Sequence, residues 1–168
     1  MSKALLRRPP PLPRPRAAGF TLLEMTIVLV LSGVTLGFAS LSFGGYLQRV
    51  SAQRAAQVFA QDLTLARSAA LRAQEPVVIR FYESTRWYSV VMQNSGTELT
   101  RRRFGTNADI DLSEIDLRMR GDTVLFTSRG MANLSNAFGS LGEARFSAGT
   151  VRYDVVFNAM GASEVEEN

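Results

Sequence analysis

The chain has 168 residues, 46% hydrophobic and 20% charged, which excludes disorder throughout and sets the expectation of one globular domain. It contains no cysteine and no histidine. Disulfides, Cys- or His-based metal sites, cysteine nucleophiles and triads with an imidazole base are thereby removed, and an enzyme is not expected. The formal charge of +4 is unevenly placed: Lys3, Arg7, Arg8, Arg14 and Arg16 precede any acid, whereas from Phe20 onward fourteen arginines face fifteen acids. The basic character belongs to a short tail and does not argue for a DNA-binding body.

Residues 1–19 combine those five cations with five prolines and no apolar period, so they neither form a helix nor join a core. On its own such a segment reads as a polyproline linker or ligand, but the long apolar run beginning at Phe20 decides against that. From Phe20 to Leu47 the only charge is Glu24, and about 42 Å of helix would result, enough to cross a hydrocarbon layer of ~30 Å. A cleaved secretory signal has an apolar region of only about 7–15 residues. The cations just before the span place the N-terminus in the cytoplasm and everything after Leu47 outside.

Residues 49–75 are rich in Ala, Gln, Leu and Arg, lack Gly and Pro, and end at Pro76, so the helix is expected to continue to about 55 residues in all. Ala55, Phe59, Leu63, Ala66 and Ala70, with Val58 and Ala69 alongside, form one apolar face able to pack on a domain, while Arg49, Arg54, Arg67 and Arg72 can remain at or snorkel to the surface. Beyond Pro76 the pattern turns to short β-rich runs. Val77–Tyr82 and Trp87–Met92 flank Glu83-Ser84-Thr85-Arg86 as a hairpin, and further strands are expected at 99–104, 115–119, 123–126, 144–147 and 151–158. Together they make a small antiparallel β domain that needs a helix to cover one face.

The most informative stretch is Gly19-Phe20-Thr21-Leu22-Leu23-Glu24. A lone carboxylate one turn inside an apolar segment costs several kcal/mol of desolvation (~2.5–3.5 by insertion scales) unless paired. Cutting between Gly19 and Phe20 would create an α-amino group at the same depth, available to Glu24 of its own or a neighbouring chain. These residues, with Met25-Thr26-Ile27-Val28-Leu29-Val30-Leu31-Ser32-Gly33, resemble the class III signal and first span of type IV pilins and type II secretion pseudopilins. The resemblance implies that a prepilin peptidase cuts after Gly19 and N-methylates Phe20, and that Glu24 is the assembly glutamate. The Leu63–Ala70 segment, the Trp87 strand, Phe126-Thr127-Ser128-Arg129-Gly130 and Val156-Phe157-Asn158-Ala159-Met160-Gly161 further resemble the GspH/FimT branch of minor pseudopilins. The last segment departs from that pattern, since Ala162 stands where the branch carries arginine.

The resemblance implies an α+β pilin fold, a long N-terminal helix packed on a small antiparallel β domain. It divides the chain into a cleaved leader (1–19), a transmembrane helix (20–47), an amphipathic continuation (48–75) and a periplasmic β domain (76–168). It also implies a minor pseudopilin of a type II secretion system in the inner membrane, with prepilin peptidase and other pseudopilins or pilins as partners. The alternative is a minor type IV pilin of the FimT/FimU kind, for pilus assembly or DNA uptake. No cofactor or metal is expected, and no acidic calcium loop like that of major pseudopilins is plain near the C-terminus.

The remaining candidates carry less. Gly33 and Gly37 form a small-xxx-small pair, with Ala39 and Ser40 nearby, suited either to close helix packing or to local weakening of the helix. Arg101-Arg102-Arg103 is the one basic run of the outer domain, with Phe104 its only aromatic neighbour in sequence, and reads as a solvated strand edge rather than a phosphate site. DNA binding in the FimT branch is associated with a C-terminal Gly-Arg-x-Arg pattern; Gly161-Ala162-Ser163-Glu164 lacks it, so DNA is not an expected partner. Asp109, Asp111, Ser113, Glu114 and Asp116 lack the glycine and terminal glutamate of a calcium loop and read as a polar loop. Gly139-Ser140-Leu141-Gly142 reads as a turn, and Asn133-Leu134-Ser135 as a chance sequon.

Overall fold

This computed structural model describes residues 19–168 other than 136, the side chains of residues 39–42 excepted. The cations of the expected leader and the side chains of Ala39 and Ser40 fall outside the described residues. Helix α1 runs Leu22–Ala73, 52 residues. It begins at a cap, the Glu24 backbone N–H donating to Thr21 Oγ1 at 3.1 Å. It ends where Gln74 turns left-handed at φ 52°, two residues before Pro76. The chain divides into two compact units, one reaching to Ala39 and the other covering Ser40–Asn168. In the first, every described residue of the helix is exposed, large apolar side chains such as Leu22, Leu29 and Phe38 included. By length and composition α1 is able to cross a membrane.

Among its described residues the second unit holds the rest of α1 and nine strands. They are β1 (Val77–Tyr82), β2 (Trp87–Met92), β3 (Glu98–Arg103), β4 (Glu114–Leu117), β5 (Thr123–Phe126), β6 (Ala132–Asn133), β7 (Gly142–Ala148), β8 (Val151–Phe157) and β9 (Ser163–Glu167). All described pairings are antiparallel, in two sheets ordered β3-β2-β1-β5-β6 and β4-β7-β8-β9. The hairpin β1–β2 closes through a 3₁₀ turn at Glu83–Thr85 and Arg86 in the left-handed region. The same turn joins the sheets: Glu83 Oε1 accepts from the Leu117 N–H at 3.0 Å, and Arg86 Nη1 donates to the carbonyls of Leu112 and Ser113 at 3.4 Å.

The strands alternate in part, Val78 of β1 and Ser89 of β2 being buried as well as their core-facing neighbours. Val77, Ile79 and Phe81 of β1 face the core with Tyr88 and Val90 of β2, while Arg80 faces out. Alternation also runs through the acid-rich loop, where Ile110, Leu112 and Ile115 are buried between exposed Asp109, Asp111 and Glu114. The expected helix face is the one that enters the core: Ala55, Phe59, Leu63, Ala66 and Ala70 are fully buried, joined by Ala52 and Ala56. Small alanines bring the helix backbone close to the strands, and Phe59 fills the space between the sheets. Its ring centroid lies 5.3 Å from Phe81, 5.4 Å from Tyr88, 5.4 Å from Phe146 and 6.2 Å from Phe157, so one side chain joins strands of both sheets.

Candidate functional site

At the start of α1, Thr21 is the N-cap and Glu24 the third helical residue, the spacing of a capping box of which the Thr21 half is formed, with the carboxylate at the positive end of the helix. The sequence reading treats Glu24 only as an anion in search of a cation and overlooks the Thr21-x-x-Glu24 spacing, a local signal present in the chain. Gly19 and Phe20 precede the helix in exposed, irregular backbone, with Phe20 71% exposed. Among the described residues Glu24 is in no ion pair. An added Cβ at Gly33 or Gly37 would meet nothing within 4 Å, so each glycine offers a bare patch of helix surface.

In the second unit the apolar stripe of α1 carries one acid. Asp62 is 2% exposed and accepts hydrogen bonds from the Tyr88 hydroxyl at 2.8 Å and from Arg102 Nε and Nη2 at 3.0 and 3.3 Å. Helix, β2 and β3 are stapled by these three side chains. Burial, reinforced by the Asp62 carboxylate, pushes the Tyr88 phenol well above its ordinary value, and the hydrogen bond to Asp62 raises the Arg102 guanidinium. Sequence reasoning passes over Asp62, yet its place beside Leu63 and three residues after Phe59, on the buried face, is a usable signal.

The basic run lies on β3, an edge strand of its sheet. Its members have different surroundings. Arg102 turns inward to Asp62, Arg101 pairs with Glu98 and stands 4.9 Å over the Trp87 ring, and Arg103 is exposed. Phe104, the neighbour in sequence, is buried. The aromatic beside Arg101 comes from β2, where Trp87 stacks on Tyr82 with centroids 3.8 Å apart. Between β3 and α1 lies an open groove of about 490 Å³, lined by Arg54, Val58, Arg103, Asn107, Asp109 and Ile110 among others.

In β7 and β8, Arg145 holds Asp154 through two bonds of 2.7 Å, and Asn168 Nδ2 donates to the same carboxylate at 2.8 Å. Burial alone would raise Asp154, but these donors outweigh it and hold the carboxyl below its ordinary value. The C-terminal acidic run forms strand β9 rather than a free tail, with Glu167 bonded to Arg49 Nη2 at 2.9 Å and to the Tyr153 hydroxyl at 2.9 Å.

Both glycine segments singled out in the sequence sit against α1. Gly130 adopts φ +72° and a Cβ there would stand 2.8 Å from Leu71 Cγ; Gly161, also at φ +72°, lies against Phe126 and the Arg67 side chain. Asn158 Oδ1 accepts from the N–H of Met160 (2.9 Å) and Ala162 (3.2 Å), which explains an asparagine three residues before that glycine. Asn133 of the sequon bonds the Ser135 N–H within its own turn, and Gly142 lies directly opposite Phe157 in β8. Among the described residues no group of three or more His, Cys, Asp or Glu is placed to hold a metal ion.

The sequence model of the family described as Type II transport protein GspH matches residues 55–161, and that of the prokaryotic N-terminal methylation motif matches residues 14–40. No curated protein sequence matches the chain significantly. Two solved crystal forms of the type IV minor pilin FimU from Pseudomonas aeruginosa are similar in structure. One has 16% identity and a TM-score of 0.50 over 73% of this chain and 92% of the other. The other has 15% identity and a TM-score of 0.49 over 68% and 91%. The former likeness concerns the fold, a long N-terminal helix followed by antiparallel sheets. With well over half of its length matched, from the buried half of α1 to the turn at Gly161, the chain belongs to the GspH family of pilin-like proteins.

Proposed function

We propose that the chain is a minor pseudopilin of a type II secretion system, anchored by α1 in the inner membrane with its N-terminus cytoplasmic and its β domain periplasmic. The observation that carries this reading is the run Gly19-Phe20-Thr21-Leu22-Leu23-Glu24 at the head of an exposed apolar helix, inside the matched methylation motif, on a chain of the GspH family. Prepilin peptidase cuts after Gly19 and methylates Phe20. Cleavage removes the +5 leader and leaves a cation close to Glu24. The Phe20 amine and a neighbour's Glu24 then pair as helices leave lipid for the filament, which offsets the desolvation of both charges and sets the axial stagger. Apolar side chains of residues 22–38 supply most of the contact, with Gly33 and Gly37 admitting close approach.

Mass spectrometry of the native N-terminus tests the reading: a chain beginning at methylated Phe20 is expected, and Gly19→Ala is expected to leave an uncut precursor. A native polypeptide that begins at Met1 overturns it. Deleting the chain separates the secretion role from that of a type IV minor pilin. Loss of exported protein from the medium supports the first, and loss of surface pili with export intact supports the second.

A further inference from the structure

The two sheets each end in a strand with a run dominated by charge of one sign, the β3 run following the acidic Glu98 that begins the strand. β3 ends the five-stranded sheet with Arg101, Arg102 and Arg103; β9 ends the four-stranded sheet with Glu164, Glu166 and Glu167. Part of that charge is used within the chain: Arg102 by Asp62, Glu167 by Arg49, and Arg101 by Glu98 at the surface. Among the described residues Arg54, Arg103, Glu164 and Glu166 take part in no ion pair, and all four are exposed.

Like charges prevent an edge from pairing with its own kind, since arginine would face arginine and glutamate would face glutamate. The same device favours the crossed pairing. We infer that the β3 edge of one copy receives the β9 edge of a second copy as an added antiparallel strand. Placing Arg101 opposite Glu166 puts Arg103 opposite Glu164 and Arg102 opposite Val165, so both pairs of opposite charges meet in one register. The groove beside β3 suits this occupant. It offers Arg54 to a carboxylate and Val58 and Ile110 to an apolar residue, and its Asp109 would oppose a run of phosphates. Each copy uses one edge to give and the other to receive, a heterologous contact that leaves one β3 edge and one β9 edge open on a joined pair. The inference rests on the pseudopilin reading for its setting: the contact would join outer domains along the filament.

The test is sedimentation of the full-length chain in nonionic detergent at low and high salt. Self-association that weakens with salt is expected. Arg101→Glu with Arg103→Glu, or Glu164→Arg with Glu166→Arg, should each weaken it at least tenfold, and all four substitutions in one chain should restore it. A folding defect in these variants is bypassed by Arg103→Lys, which gives residues 20–168 their only lysine. Zero-length carbodiimide coupling in a mixture of isotopically labelled and unlabelled chains should then join Lys-substituted position 103 to Glu164 in peptides of mixed label. The inference is overturned if the edge reversals leave association unchanged, if the fourfold reversal stays apart, or if position 103 couples only within its own chain. Salt-sensitive retention of duplex DNA through Arg101 and Arg103 without self-association also overturns it. The N-terminal mass is independent of all these readouts, so an uncut chain that still pairs edge to edge condemns only the pseudopilin reading.

Discussion

Removing the Asp62 carboxylate is the sharpest probe of how α1 is held to the five-stranded sheet. In Asp62→Ala the Tyr88 hydroxyl, on a fully buried side chain, loses its acceptor, and an orphaned buried donor costs about 1–3 kcal/mol. The Arg102 side chain is 44% exposed and regains water, so its share is discounted to about 0.5–1 kcal/mol. The sum, about 3 kcal/mol, is a large part of a small domain's stability. Tyr88→Phe keeps the Asp62–Arg102 pair and should cost only about 1.5 kcal/mol. Because Phe leaves no orphan hydroxyl, the double variant should fall short of additivity by about 1–2 kcal/mol. Urea unfolding of the detergent-solubilised chain, followed through Trp87, the only tryptophan, reads the loss next to Tyr88 in β2. With a slope of about 2 kcal/mol per M, the Asp62→Ala midpoint should drop by about 1.5 M. A drop under about 0.3 M, or strict additivity of the two substitutions, would refute the staple.

Gly142→Ala should lower stability by about 2 kcal/mol, because a Cβ would overlap the Phe157 ring across the β7–β8 ladder, and Phe157→Leu should relieve much of that loss in thermal unfolding. Asp154, whose carboxyl is held low by Arg145 and Asn168, contributes stability that is present above its ordinary value of about 4 and lost as pH falls through the depressed folded value; Asp154→Asn should flatten the acid limb of an unfolding titration. Tyr88 runs the other way: its raised folded value contributes stability present below about pH 10 and lost as pH climbs through that value, and Tyr88→Phe should remove this alkaline loss. At the start of α1, Glu24→Gln separates the charge of this side chain from its shape. It keeps the capping-box spacing and removes the charge, so filament incorporation is expected to fail both here and in Glu24→Ala while membrane insertion persists; incorporation of Glu24→Gln at the unsubstituted level would refute the ion pair.

The helix and the first hairpin are legible from local pattern alone. An apolar stripe and the stop at Pro76 place α1 within two residues at each end, and β1, β2 and β5 fall on their expected bounds. Other strands shift by one or two residues: β3 begins at Glu98, β4 ends at Leu117 with Met119 left in an isolated bridge to Ala137, and β7 extends to Gly142 and Ala148. Two strands escape a local reading. β6 is only two residues long and exists because Phe126 and Leu125 offer it an edge. β9, glutamate-rich and poor in intrinsic strand preference, is held by pairing with β8, by Val165 opposite Val155 and by Arg49. The split into two sheets depends on β5 returning to β1 while β4, just before it in the chain, joins β7, a non-local choice that no short window contains. Candidate residues fare likewise. The family motif at residues 19–24 is contiguous and visible, whereas the Asp62–Tyr88–Arg102 cluster joins three segments and only its helical member carries a clue.

Phe59 has a mechanical consequence. Its ring bridges Phe81 and Tyr88 on one side and Phe146 and Phe157 on the other. Tension applied lengthwise to the buried half of the helix therefore reaches both layers at once through this ring, beside the Asp62 and Arg49 ties, instead of peeling them in turn. Under such traction the second unit should yield abruptly and as a whole.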